Sequence, residues 1–127
     1  MDVALFNLHF IYGERVLTLL FVLGIIYLAA TWKADAKPAV VGRIMAVLVD
    51  IQVLIGLILY VVLMTGGRAF PPTIFVHALF GILAAGVAHM AAKNPPFLAK
   101  MGRFSPVVGF GAALVLMLVG VMIAKGI

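Results

Sequence analysis

At 127 residues, 66% hydrophobic and only 10% charged, the chain is too apolar for a soluble domain, which is roughly half apolar and a quarter charged. A protein this small has too much surface to hide that excess in a core, so the expected solvent is lipid. The absence of cysteine excludes disulfides, thiolate metal sites and covalent c-type haem attachment. The net charge of +5 reads as a topology signal and argues against a nucleic-acid partner, because the basic residues sit between apolar runs.

Four apolar segments, at about 5–32, 39–64, 72–92 and 104–124, each approach the ~20 residues that cross a bilayer as a helix. They are continuous rather than alternating, which excludes a membrane β-barrel. The expected fold is all-α: one transmembrane domain over residues 1–127, built as a four-helix antiparallel bundle. The opening "MDVALFNLHF" lacks a basic n-region, so no cleavable signal peptide is expected.

The first segment carries His9, then Glu14 and Arg15 side by side, and ends near Trp32. Adjacent helical residues diverge by about 100°, so Glu14 and Arg15 cannot pair well with each other. Arg15 is expected to meet Asp50 or an anionic ligand group, with snorkelling to the headgroups as the alternative. "KADAKP" breaks the chain, and Pro38 suits the first turn of the next helix.

The second segment contains "VDIQVLIGLILY". Asp50 is its one deep acid, and an acid inside a membrane is a functional candidate by default. Gln52, Gly56 and Tyr60 recur at four-residue steps along one ridge, where Gly56 lets a helix or ligand approach closely. Interhelical hydrogen bonding is the simpler role for Gln52 and Asp50; lining a quinone or proton route is the other.

"TGGRAFPP" leads into the third segment and its "VHALFGILAAGVAHM". His77, Gly81, Ala85 and His89 form a slanting ridge, with the two imidazoles about 18 Å apart along the axis and about 120° apart around it. They cannot share one ion. The small residues between them open a groove for a flat macrocycle or for another helix. A b-type haem needs an axial nitrogen, often two from different helices. His9 and His77 come to similar depths and are the candidate iron ligands. Arg15 is a candidate propionate partner, and Gly81 a candidate contact for the ring. His89 lacks a second histidine within one chain. It would need Met90, Met45 or a second protomer, or it caps its helix.

"KNPPFLAKMGRFSP" precedes the fourth segment, whose "GFGAALVLMLVG" is rich in small residues. Lys33, Lys37, Arg43, Lys93, Lys100 and Arg103 gather at the first and third connections; only Arg15, Arg68 and Lys125 belong to the other side. The positive-inside rule then puts both termini outside, in a multi-pass protein of the bacterial cytoplasmic (inner) membrane.

These motifs resemble those of a loose group of small bacterial four-helix membrane proteins labelled "cytochrome B". In that group a histidine and an arginine open the first helix, here "LHFIYGERVLTLLFVLGIIYL"; a Q-x-x-x-G-x-x-x-Y-like element follows, here "DIQVLIGLILY"; and histidines bracket the third helix, here "VHALFGILAAGVAHM". The pattern departs at two places: His9 stands six residues before Arg15 where the group has four, and Ala78 follows His77 where the group often has proline. The resemblance implies a haem b-binding electron-transfer protein or the membrane subunit of a redox complex, acting as a homo-oligomer or with larger partners and, through Asp50, Gln52 and Tyr60, with quinone. The alternative is a cofactor-free accessory subunit packed around a respiratory or photosynthetic complex. A transporter would need inverted repeats or interrupted helices, which are not evident. No nucleophile–base set, phosphate loop or HExxH spacing marks an enzyme, so no catalytic residue is assigned.

Overall fold

The computed structural model describes residues 2–32 and 40–126. Expectations for Lys33, Lys37, Pro38 and the start of the second segment at Ala39 lie outside the described residues. Within them the chain is helical throughout. Helix α1 (Asp2–Ile11) passes through a π-helical turn (Tyr12–Leu17) into α2 (Thr18–Thr31), and these three pieces make one continuous first span. Helices α3 (Val40–Thr65) and α4 (Pro72–Lys93) follow, then a short α5 (Pro96–Ala99), a 3-10 turn (Gly102–Phe104) and α6 (Ser105–Lys125). Four stretches, Val3–Thr31, Val40–Thr65, Pro72–Lys93 and Gly102–Lys125, are long and apolar enough to cross a membrane.

Local chemistry sets the helix ends. Pro71 and Pro72 open α4, where a missing N–H costs nothing because the first-turn donors are unpaired anyway. Asn94 closes it in the left-handed region at φ 50°, its N–H donating to the carbonyls of Met90 and Ala91. Pro95 then forbids continuation. Ser105, only 2% exposed, donates its hydroxyl to the Asn94 side-chain oxygen. One residue thereby starts α6 and ties it to the end of α4. Gly126, at φ 74°, caps α6.

The core is concentrated toward the end that holds this third connection. Ala84, Ala88, Ala91 and Ala92 of α4 and Gly109, Phe110 and Ala113 of α6 are all buried, and Phe21 and Phe110 meet edge to face at 6.1 Å. Small residues allow the two backbones to approach: a Cβ added at Gly109 would lie 2.6 Å from that of Ala91. The opposite end is looser. None of residues 3–16 is buried. Helix α1 packs against α3 but not broadly against α4 or α6, whereas α2 packs on both α6 and α3. The first span is therefore wedged into the core by its second half, while across its first half it is side chains that bridge to α4 and α6.

Candidate cofactor site

The wider turn between α1 and α2 begins the site. A π turn sets aside the regular i→i−4 ladder, and such turns recur at functional positions. Here it is stitched to α3 from both directions. Tyr12 donates its phenol to the Leu48 carbonyl at 3.0 Å, and Gln52 donates its carboxamide to the His9 carbonyl at 2.9 Å. Gly13 makes room for that carboxamide, since a Cβ there would sit 1.9 Å from Gln52 Nε2. One turn further along α3, Gly56 receives the His9 ring: a Cβ at this position would be 2.8 Å from His9 Cε1. The ridge Gln52–Gly56 thus grips His9 by its backbone and by its imidazole.

Across the gap stands His77 of α4. The two rings are nearly perpendicular (86°), with centroids 6.0 Å apart. His77 Nδ1 donates to the Gly120 carbonyl of α6 at 2.8 Å. A carbonyl can only accept, so the proton belongs on Nδ1 and Nε2 keeps its lone pair. His9 Nδ1 is buried without a protein partner. Gln52 Oε1 and Glu14 Oε2, on or beside the same turn, share that condition. Buried polar atoms are normally satisfied, so these three, with Trp32 Nε1 at the far end of the same span, stand out as exceptions among the described residues.

The remaining candidates lie elsewhere. Asp50 does not meet Arg15; it accepts from His89 Nε2 at 2.7 Å, with both side chains nearly half exposed. Two residues along a helix diverge by about 200°, so Asp50 and Gln52 face different neighbours and do not form one route. Arg15 is exposed, with no ion pair among the described residues. Its neighbour Glu14 pairs with Lys125, whose ammonium also lies 5.3 Å from the Phe10 ring centre. Tyr60 stacks on Phe70 at 5.3 Å and meets Phe75 edge-on at 5.8 Å, an aromatic cluster at the helix end. Gly81 packs toward Val53 of α3, 3.8 Å from where its Cβ would be, so it serves a helix contact and does not touch the histidine pair. Met45 lies under Gly24 in the core and is not beside His89.

Tyr12, Gly13 and the carbonyls of Leu48 and Gly120 were not singled out in the sequence. A glycine gives no signal of what will fill the space it leaves, and a carbonyl gives none at all. The fold and site together define an all-helical protein with four membrane-length apolar helices and a two-imidazole layer between the first and third of them. No protein-family model, curated protein or solved structure matches the chain.

Proposed function

We propose that this chain is a small b-type haem-binding electron-transfer protein, or the membrane subunit of a redox complex. In this reading it is an antiparallel four-helix bundle in the bacterial cytoplasmic membrane with both termini outside. The carrying observation is the His9–His77 pair. The two imidazoles come from different helices with ring centres 6.0 Å apart, so they are the residues that would hold the iron of a b-type haem.

The donor chemistry suits the group. His77 has its Nδ1 proton committed to a backbone carbonyl, the outer-shell arrangement that orients a ligating histidine and raises its basicity. His9 supplies a buried nitrogen with no protein partner. The first half of the first span packs on α3 and reaches α4 and α6 only through side chains, His9 toward His77 and Glu14 toward Lys125. Haem, when bound, supplies one-electron redox chemistry. The chain's share is to hold the imidazoles, fix the His77 tautomer and keep the site in low dielectric. Arg15, exposed on the π turn, is the candidate partner for an acidic side group of the ring. His89 is assigned to Asp50 and not to a second haem.

A reduced-minus-oxidised absorption spectrum of the purified protein tests this. A b-type spectrum that disappears in His77→Ala and persists in His89→Ala is the expected result. A protein that stays colourless after haem reconstitution would overturn it and leave the accessory-subunit reading.

A further inference from the structure

We propose that the outward face of α3 and α4 carrying Asp50 and His89 is where a second copy of this chain docks. This does not rest on the haem reading.

The pair lies on the outside of the bundle, its side chains 45% and 47% exposed, with Nε2 and Oδ2 2.7 Å apart. It is also below the interface. Gly42 and Ala92 are at one level, since a Cβ on Gly42 would be 3.7 Å from Ala92 Cα, and Arg43 and Lys93 flank that level. From there His89 is about 4.5 Å and Asp50 about 12 Å further into the span. Arg43 and Lys93 can snorkel to headgroups. The shorter aspartate and histidine cannot, and beyond the one bond that they make to each other acyl chains offer their remaining polar atoms nothing.

Around the pair the surface is apolar and grooved. Val47 and Leu54 of α3 and Ile82 of α4 are exposed at helical spacing from Asp50 and His89. Gly86 opens onto space, nothing lying within 4 Å of where its Cβ would be, and forms a shallow cleft with His89, Met90, Lys93 and Pro95.

Charge selects the occupant. This face carries one acid on α3 and one base on α4, so a two-fold axis across it sets the aspartate of each copy against the imidazole of the other. That is the self-complementarity an isologous interface requires. An anionic lipid would meet Arg43, His89 and Lys93 well but would oppose Asp50.

The chain has no cysteine, so a single introduced one reports unambiguously. In membranes under mild oxidation, Ile82→Cys and Gly86→Cys should give disulfide-linked dimers, and Val115→Cys on α6 should not. Adding Asp50→Ala should weaken the association roughly 10- to 1,000-fold, the range of the two interhelical hydrogen bonds that a two-fold axis sets across the interface. The unsubstituted protein should have the mass of two chains by native mass spectrometry. The mass of one chain, with or without retained phospholipid, would overturn the proposal. So would linkage at Val115 as strong as at Gly86, or linkage indifferent to Asp50→Ala at full folded yield.

Discussion

The His9 and His77 imidazoles stand at 86° to each other with 6.0 Å between their centres, although 68 positions separate them in the chain. Each is held by a different helix at its back: Gly56 of α3 behind His9, the Gly120 carbonyl of α6 behind His77. Four spans therefore converge on one layer. If it binds haem, His9→Ala and His77→Ala should each remove the low-spin spectrum, while His89→Ala keeps it. Residual high-spin haem in His9→Ala alone would identify His77 as the stronger ligand.

Gly56→Ala tests the fit of the ring. The added methyl would come within 2.8 Å of His9 Cε1, and an imidazole pinned by its own helix has little freedom to withdraw. Haem affinity should fall by roughly 10-fold or more, the scale of losing a residue that orients a ligand. Gly86→Ala, facing open space, should leave affinity unchanged in the same titration.

Gln52 and Gly13 should be strongly non-additive. Gln52→Ala loses one interhelical hydrogen bond, about 0.6–2 kcal/mol in a membrane. Gly13→Ala should be worse, because its methyl would overlap the carboxamide at 1.9 Å. Once the carboxamide is gone that overlap is gone too, so the double variant should be more stable than Gly13→Ala alone. Unfolding midpoints of the three variants in one detergent complete the cycle.

Gly109→Ala probes the tight end of the molecule. Its methyl would meet the Ala91 Cβ at 2.6 Å and the Ala91 Cα at 3.3 Å, so α4 and α6 must separate. The expected loss is about 1–3 kcal/mol, typical of overpacking. It should appear in thermal unfolding, with the haem spectrum of the surviving folded fraction unaltered.

Much of the architecture was legible in the residue order. Continuous apolar runs punctuated by "TGGRAFPP" and "KNPPFLAKMGRFSP" announce helices of membrane length and their breaks, because hydropathy and the conformational limits of proline and glycine act over a few residues. That His9 and His77 reach similar depths follows from counting along spans. The partner of Asp50 did not follow. Arg15 looked available to it, yet Asp50 took His89, and Glu14 took Lys125. Tyr60 shares a ridge with Gln52 but ends among phenylalanines.

What the chain by itself determined is its apolar character, its helices of membrane length and where each polar group falls along them, all sums over neighbouring residues. Which groups touch depends on how each helix is rotated and tilted. That was decided by side-chain volumes packing at long range: alanines against Gly109 at one end, and a π turn accommodating Gln52 at the other. A rotation of a few tens of degrees changes no hydropathy and every partner, so only the tertiary structure could bring the two imidazoles face to edge and turn Asp50 and His89 outward.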